Sequence, residues 1–559
     1  MPRLSPRLTR SLLALSLASA VAVVGGVSLA PPTADAAEVI YGDPAGDDRD
    51  TGSASDPVAT LGQAVRLAEN GDVIELASGV YHEQVQVYAK EVHIRAAAGA
   101  EPILDGARPV SDWSADSGLY RADWSSDFER AGQPFTTPER PEAGWPEQFF
   151  IEGEPLHEVA NRGSVVSGTF FHDRGADLVW IADDPAGRLI EGSALNWGLY
   201  LNLADGSSVD GVTVRRYATP NRNMAAVRAY ADDVTLTDVT VVDNARIGLS
   251  VIGDRVTLDG VVAQDNGHLG LHAHQSNDLT ITDAVVTGNN AEAFDAFHSA
   301  GGIKITTSND VTVDGSVVQR NAGPGIWTDL DVIGGVVADN VVTDNHRSGS
   351  EIELSHHIVV VNNRVEHNGE TGVWVLESTD VDVWHNAIHH NVREIWIEEG
   401  PRNDVARVRV AHNVLGGDAG SAARRAVLSV DDWTEQRGGD DMDIELDANH
   451  YWLVPGSATT EVSRWANWPS PLSFSETLEQ HRVATGGGAA STLTIAATNP
   501  FADVAPSAAS SLQPSADVVA AFARAGQVAA GPHRDAPPIA PAPTPDVDSD
   551  PIDDPDPVV

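Results

Sequence analysis

The sequence predicts an all-β protein whose body is a right-handed parallel β-helix solenoid that carries an inserted antiparallel β subdomain. Three observations predict this fold: a repeat of about 23 residues, short runs of Val, Thr and Ile in each repeat, and an asparagine that returns with the same period. Runs this short leave no room for two helices per repeat, and the pattern of a leucine-rich repeat is absent.

The repeats are aligned on a glycine that opens a short apolar run. The aligned segments are Gly248-Leu-Ser-Val, Gly270-Leu-His-Ala, Gly302-Ile-Lys-Ile, Gly325-Ile-Trp-Thr, Gly349-Ser-Glu-Ile and Gly372-Val-Trp-Val. The glycines step by 22, 32, 23, 24 and 23 residues. The one long step predicts a loop at residues 291–300 that leaves the solenoid.

A column of asparagines accompanies these glycines. Its expected members are Asn244, Asn266, Asn290, Asn321, Asn345, Asn368 and Asn391. Asparagine at the same turn of successive coils predicts a side-chain ladder, and asparagine tolerates the left-handed backbone that we expect at such turns.

The composition divides the chain into six parts. Three arginines, an apolar run and small residues near Ala37 predict a signal peptide over residues 1–37, so we expect a secreted, extracellular protein. An N-terminal cap and first coils are expected over 38–106, the inserted subdomain over 107–193 and the main repeats over 194–418. A C-terminal packing segment is expected over 419–536, followed by a disordered Pro- and Asp-rich tail over 537–559.

The charge balance excludes some partners. The formal net charge is −46, and nucleic acids or anionic membranes require clustered Lys and Arg. There is no cysteine, so core burial rather than disulfides must stabilise the exported chain. We expect a monomer, because a capped solenoid needs no partner.

Side chains alternate between the two faces of a strand, so every second residue of each glycine-led strand is expected on the outer face of the solenoid. The first outward column is Ser250, His272, Lys304, Trp327, Glu351, Trp374 and Trp396. The second outward column is Ile252, His274, Thr306, Asp329, Glu353, Leu376 and Glu398. Tyr200, Asn202, Arg228 and Tyr230 continue the face upstream, where they either extend a groove or are ordinary surface residues.

Two carboxylates on this face have a spacing that suits sugar chemistry. Asp329 and Glu353 are expected on adjacent coils, about 5 Å apart, since neighbouring strands lie about 4.8 Å apart. That separation is typical of a retaining glycosidase, in which one carboxylate attacks and the other transfers the proton. The alternatives are two ordinary surface acids, or a one-residue slip that turns Glu351 or Glu353 off the face.

The motif around these residues resembles a known family. Two segments on adjacent coils carry the motif: Gly325-Ile-Trp-Thr-Asp329 and, one coil later, Glu351-Ile-Glu353-Leu-Ser-His356. Together they resemble the active-site region of the β-helix family of retaining β-xylosidases. That family is part of the wider pectin-lyase-like group of carbohydrate-active proteins. The resemblance implies Asp329 as nucleophile and Glu353 as acid/base. Segments starting at Phe150, Gly168 and Leu178 resemble the inserted β-sandwich of such enzymes.

Further residues on the face are expected to bind a polysaccharide or oligosaccharide substrate. They are His272, His274, Lys304, Trp327, Glu351, His356 and Trp374. The histidine pair suits hydrogen bonding to substrate better than a metal, and Trp327 suits stacking on a sugar ring. Trp396 is expected to be buried by a C-terminal stretch that contains Trp433, Trp452, Trp465 and Trp468.

Three functions remain open at this point. The first is a retaining glycoside hydrolase acting on plant-type or microbial polysaccharide, without a cofactor or metal. The second is a lyase or epimerase on uronic-acid polymers that uses Lys304 as base and calcium as cofactor. The third is a non-catalytic carbohydrate-binding or adhesin-like solenoid, since the fold hosts all three.

Overall fold

The computed structural model describes residues 37–220, 225–418, 426–458, 460–498 and 512–525. The expected signal peptide and the expected Pro- and Asp-rich tail lie outside these residues, apart from Ala37. Within the described ranges, no helix is long and apolar enough to cross a membrane.

Three long sheets form the solenoid, and each has thirteen strands in the described part of the chain. We name them the front, second and third sheets in the order in which each coil visits them. The front sheet contains Val85–Tyr88, Leu199–Asn202, Ala225–Tyr230, Ile247–Val251, Leu269–His274, Gly301–Thr306, Ile326–Asp329, Ser350–Glu353, Thr371–Leu376, Arg393–Glu399, Ala426–Asp432, Glu461–Trp465 and Ser473–Ser475.

The other two sheets follow the same order of coils. The second sheet contains Val39–Gly42, Asp72–Leu76, Val92–Ala96, Ser208–Asp210, Thr235–Thr237, Thr257–Asp259, Thr280–Thr282, Asn309–Asp314, Ile333–Ala338, His356–Val361, Thr379–Trp384, Ala406–Ala411 and Ile444–Asp447. The third sheet contains Gly79–Tyr81, Pro102–Asp105, Thr213–Arg215, Thr240–Val242, Val262–Gln264, Val285–Thr287, Val317–Gln319, Val341–Thr343, Arg364–Glu366, Ala387–His389, Val414–Gly417, His450–Leu453 and Thr492–Ile495. The parallel β-helix predicted from the repeats is thus confirmed.

Alternation along each strand builds the core. On the front sheet Leu249, Leu271, Ile303 and Ile326 occupy matching positions on successive coils, and each is at most 1% exposed. Their neighbours in sequence point outward, as the period of two requires. One continuous apolar core therefore runs along the solenoid.

A buried asparagine ladder runs along the turn that enters the front sheet. Its members are Asn244, Asn266, Asn289, Asn321, Asn345, Asn368 and Asn391. Each Nδ2 donates to the Oδ1 of the next member at 2.9–3.0 Å. The ladder is confirmed, but the expectation that Asn290 belongs to it is wrong. Asn290 instead bonds Phe294 at the start of the 291–300 loop.

The expected backbone conformation of the ladder is also wrong. The left-handed position is taken by the residue before each ladder asparagine, for example Asp265, Asp344 and His367. A second ladder joins Asn340, Asn363, Asn386, Asn413 and Asn449, with 3.0 Å between each Nδ2 and the next Oδ1.

The ladder also explains the repeated glycine. A Cβ on Gly248 or Gly270 would lie 2.7 Å from the Nδ2 of the neighbouring ladder asparagine. A Cβ on Gly325 would lie 2.6 Å from the carbonyl oxygen of Gly349 as well. Space, rather than a positive φ, therefore requires glycine at the entrance to each front strand.

The inserted subdomain is one eight-stranded sheet. In chain order its strands are Ala107–Pro109, Ser114–Asp116, Leu119–Asp123, Phe149–Ile151, Glu154–Glu158, Thr169–Asp173, Leu178–Ile181 and Ile190–Ser193. The sheet is antiparallel as predicted, except for one parallel junction, where His157 pairs with Thr169. Arg216 links the insert to the solenoid. It donates to Asp105 of the third sheet at 3.1 Å and to Glu191 of the insert at 3.2 Å.

Helices are few in the described ranges. The α-helices are Leu61–Leu67, Leu478–Thr485 and Ala516–Ala525, and the 3-10 helices are Pro141–Gly144, Arg162–Ser164 and Gly439–Met442. The first α-helix contributes Leu61, Ala64 and Val65 to the main core, which closes the N-terminal end of the solenoid.

Replacing Asn345 with alanine is expected to destabilise the solenoid. The substitution removes the acceptor of Asn321 Nδ2 and the donor to Val318 O, which leaves buried polar groups unsatisfied. We expect the free energy of unfolding to fall by about 3 kcal/mol or more. Denaturant titration followed by circular dichroism measures it.

The matched control is Asn309→Ala, in an exposed pair where Nδ2 donates to Asn277. Its cost is expected to stay below about 1 kcal/mol, because water replaces the lost partner. Equal costs for Asn345→Ala and Asn309→Ala would contradict a stabilising role of the buried ladder.

Candidate active site

The strand register places the expected residues on one face. Along the front sheet Lys304 pairs with Trp327, Trp327 with Glu351, and Glu351 with Trp374. Thr328 pairs with Ile352, so Asp329 and Glu353 follow on adjacent coils with their side chains outward. The first outward column is confirmed, and the alternative of a one-residue slip is excluded.

Asp329 is held in a buried ion pair. Its Oδ2 lies 2.9 Å from Lys304 Nζ, and the two side chains are 8% and 7% exposed. Its Oδ1 has no hydrogen-bond partner among the described residues. One oxygen is thus neutralised by a cation, while the other remains available to a ligand.

Lys304 is the electrostatic centre of the site. Its Nζ lies 3.1 Å from the centroid of the Trp327 ring and 3.4 Å from His298 O. Burial lowers the pKa of Lys304, while the nearby carboxylates of Asp329, Glu353 and Glu351 oppose that shift. One ammonium therefore influences three carboxyl groups on two coils.

Glu353 is bonded at both oxygens. Trp327 Nε1 donates to Oε2 at 3.0 Å, and Arg402 Nη2 donates to Oε1 at 2.5 Å. Burial raises the pKa of Glu353, and repulsion from Asp329 raises it further, while Arg402 and Lys304 lower it. These opposing effects give Glu353 surroundings that differ from those of Asp329, which is the requirement for two carboxyls with different roles.

Glu351 is the third carboxyl group of the site. It is 2% exposed, and its Oε2 has no hydrogen-bond partner in the described part of the chain. Burial raises the pKa of Glu351 to about 7, with Arg347 and Lys304 opposing the shift. Glu351 is therefore largely protonated below neutral pH.

The two histidines lie upstream of the carboxylates. His272 pairs with Lys304 in the first outward column, and its Nδ1 lies 3.2 Å from Ser250 Oγ. His274 Nδ1 lies 2.9 Å from Thr306 Oγ1. Burial lowers the pKa of His272 to about 4, so its ring is neutral at pH 7 and can accept or donate a hydrogen bond.

The aromatic residues differ from the expectation of an open stacking strip. Trp327 is 3% exposed and Lys304 covers one face, so its ring positions Lys304 and Glu353 rather than offering a sugar platform. Trp374 is 9% exposed and stacks on Trp396 at 4.5 Å. Trp396 remains partly exposed, and its Nε1 donates to Asp431 of the following coil at 2.9 Å.

The other expected neighbours are not where the sequence suggested. His356 begins a strand of the second sheet, where its Nδ1 bonds Thr379 Oγ1 at 2.8 Å, so it does not lie on the front sheet. Trp433 and Trp468 are 59% and 48% exposed, so these two side chains do not pack over Trp396 as expected.

The 291–300 loop lies beside Lys304 and is fixed from two sides. Asp295 N donates to Phe135 O of the inserted subdomain at 2.9 Å. Arg347 of the solenoid donates to Ala296 O at 3.1 Å, and its guanidinium lies 3.7 Å from the centroid of the Phe297 ring. The insert therefore supports one edge of the site through this loop.

Comparisons with known proteins agree with the architecture. The family model described as right handed beta helix region matches residues 225–392 and 336–420. The structure of XylC in complex with xylose is similar with a TM-score of 0.61 and 15% identity, over 74% of this chain and 83% of that chain. No protein of curated function matches the sequence.

Two further solved structures have lower similarity. One is a glycoside hydrolase with a TM-score of 0.47 and 13% identity, over 68% of this chain and 94% of that chain. The other is the A-module of a mannuronan C-5 epimerase from Azotobacter vinelandii, with a TM-score of 0.39 and 16% identity over 74% and 95%.

The parallel sheets, the family model and the likeness to XylC agree on one fold. The chain is a right-handed parallel β-helix. In this β-helix the site residues come from coils that are adjacent in space but 22 to 32 residues apart in sequence.

Two arginines of the site were not found by sequence reasoning. Arg402 lies in the turn after the strand Arg393–Glu399 and contacts Glu353 and Glu377. Arg347 lies before the strand Ser350–Glu353 and bonds Glu370 at 3.1 Å. Neither belongs to an outward column, so alternation along the strands carries no signal for them.

The stability of the β-helix should depend on pH through Glu351. Its pKa is about 7 in the folded chain and near 4.5 when exposed, so the unfolded chain ionises first as the pH rises. Between pH 4.5 and 7 the wild type should lose up to about 3 kcal/mol relative to Glu351→Gln, since each pKa unit corresponds to about 1.4 kcal/mol.

Denaturant unfolding of both proteins from pH 4 to pH 8 measures this difference. Glu101→Gln, at an exposed position, is the control and should follow the wild type. A constant difference between wild type and Glu351→Gln over this range would contradict the shifted pKa.

Proposed function

We propose that this protein is a secreted retaining glycoside hydrolase that acts on plant-type or microbial polysaccharide or its oligosaccharides. Asp329 is the nucleophile and Glu353 the acid/base. The observation that carries the proposal is the pair itself: two buried carboxyls project from adjacent coils, one neutralised by Lys304 and the other with a raised pKa.

The reaction follows from these two environments. Asp329 Oδ1 attacks the anomeric carbon, the glycosidic C–O bond breaks, and the departing oxygen takes the proton of Glu353. Water then attacks the glycosyl–Asp329 ester, Glu353 takes the proton of that water, and Asp329 leaves as the carboxylate. Lys304 supports the second step, because its ammonium stabilises the carboxylate of Asp329 as it leaves the sugar.

The first substrates to test are aryl β-xylosides. The motif of Asp329 and Glu353 resembles that of retaining β-xylosidases, and the similar XylC was solved with xylose. His272 and His274 lie on one coil, two coils from Asp329 and three from Glu353, and supply hydrogen-bonding groups where further hydroxyls of a sugar chain would lie.

The lyase alternative depends on Lys304 as a free base. Burial lowers the pKa of Lys304, as such a base requires, but its Nζ is engaged in an ion pair with Asp329, which opposes that shift. The hydrolase therefore fits the contacts better. Uronate polymers with and without calcium test the lyase directly, and binding without turnover would identify a carbohydrate-binding solenoid.

Replacing either carboxyl should abolish most of the activity. We expect Asp329→Asn and Glu353→Gln each to lower kcat/KM on aryl β-xylosides at least about a hundredfold, because each loses one chemical role. Added azide should restore turnover to the Glu353 variant, since a small anion attacks the ester without a general base. Nuclear magnetic resonance of the glycosyl azide would show the retained configuration.

Two control variants assign these roles. Asp331→Asn changes an exposed carboxyl two residues from the proposed nucleophile and should leave kcat/KM within about threefold. Glu351→Gln should be much milder than Glu353→Gln. If azide rescued Glu351→Gln instead, Glu351 rather than Glu353 would be the acid/base. Uronate products that appear only with calcium would overturn the proposed hydrolase activity.

Arg402 should set the alkaline limit of the reaction. Its guanidinium lowers the pKa of Glu353, so Arg402→Ala should raise that pKa and move the alkaline limb of kcat/KM to higher pH. The alkaline limb of Arg402→Lys should lie between those of Arg402→Ala and the wild type. Arg407→Ala, which breaks an exposed ion pair on the second sheet, is the control and should leave the profile unchanged.

A further inference from the structure

A second cluster of reactive side chains lies on the third sheet. Glu366 and His389 end two adjacent strands and pair directly in the register. His367 and His390 follow them, and both have left-handed backbone with φ of 57° and 61°. Two coils thus present a block of one carboxylate and three imidazoles at matching positions.

The side chains of this block converge on one another. His389 Nδ1 lies 3.2 Å from Glu366 Oε2 and 2.9 Å from His390 Nδ1. The rings of His367 and His390 stack at 4.9 Å between centroids. One ligand atom each from Glu366, His367 and His390 falls within 4.8 Å of the others.

The geometry points to a binding site for zinc or a similar divalent transition metal, held by Glu366, His367 and His390 with His389 beside them. Imidazole nitrogen and carboxylate oxygen are both donors by which proteins bind zinc. Ligand atoms at about 2.0–2.1 Å from a tetrahedral zinc lie about 3.4 Å apart, and one donor atom of each of the three residues lies within 4.8 Å of the others. Small side-chain rotations would therefore bring the three donor atoms to one ion.

The surroundings provide the supporting contacts that metal ligands need. Arg364 Nε donates to Glu366 Oε1 at 2.6 Å, which fixes the carboxylate and leaves Oε2 toward the histidines. Trp452 packs against His390 with 5.2 Å between ring centroids. A Cβ on Gly417 of the following coil would lie 3.2 Å from the His390 ring, so the glycine leaves space beside the cluster.

A second group with ligand spacing is a poorer candidate. Glu147, Glu158 and His172 of the inserted subdomain also converge. Arg130 and Arg174 pair with these carboxylates, with Arg130 bonding Glu158 at 3.0 Å and Arg174 contacting Glu147 at 3.2 Å. Two guanidiniums already neutralise that group, whereas the histidine block has Arg364 alone as a contacting cation among the described residues.

Zinc titration of the mature chain tests the site. An untagged protein is stripped with chelator and titrated calorimetrically with ZnCl2, and cobalt absorption reports the ligand geometry. We expect one zinc ion per chain, tetrahedral cobalt bands, and a higher Tm with zinc. His367→Ala and His390→Ala should each weaken binding at least about tenfold.

The controls separate loss of a ligand from loss of structure. His367 is exposed, so its removal does not open the core, and the Tm of metal-free His367→Ala should match that of the wild type. His357→Ala, at an exposed histidine of the second sheet, should bind zinc like the wild type. No stoichiometric zinc in the wild type, or equal binding in a His367→Ala/His390→Ala double variant, would overturn the site.

Discussion

The buried asparagine ladder is the constraint on which the rest of the solenoid depends. Each amide donates to the next coil and to a backbone carbonyl, so every added coil must present its asparagine at the same place. The glycines at the entrance to the front strands follow, because a side chain there would clash with the ladder. At its C-terminal end, Asn391 donates to the buried Glu394 at 2.7 Å, which satisfies the last amide.

Because the ladder fixes the strand register, it also fixes which charged side chains are neighbours on the front sheet. Residues that are 22 to 32 positions apart in sequence become direct neighbours, so one lysine on one coil meets carboxyls on the next two. These groups are buried although they point outward, since Trp327 and the loop at 291–300 cover Lys304. Low exposure strengthens their mutual interactions, and burial raises the pKa of Glu351 and the pKa of Glu353.

The same stacking explains why reactive clusters arise at two places. A left-handed turn position recurs on every coil, and His367 and His390 occupy it on neighbouring coils. On the front sheet, the recurring outward positions hold Asp329 and Glu353. In both places strand spacing of about 4.8 Å brings side chains within reach of one ligand or one another.

The sequence by itself determined the coil, the period, the insert and the outward columns. Repetition and alternation are local patterns, and the stacking of coils does not change which residues of a strand point outward. It placed Asp329, Glu353 and Lys304 on one face correctly. Only the tertiary structure decided that Trp327 is covered, that Asn289 replaces Asn290 in the ladder, and that Arg402 reaches Glu353. These depend on how turns fold over the sheet, and turn conformations follow no period that a sequence displays.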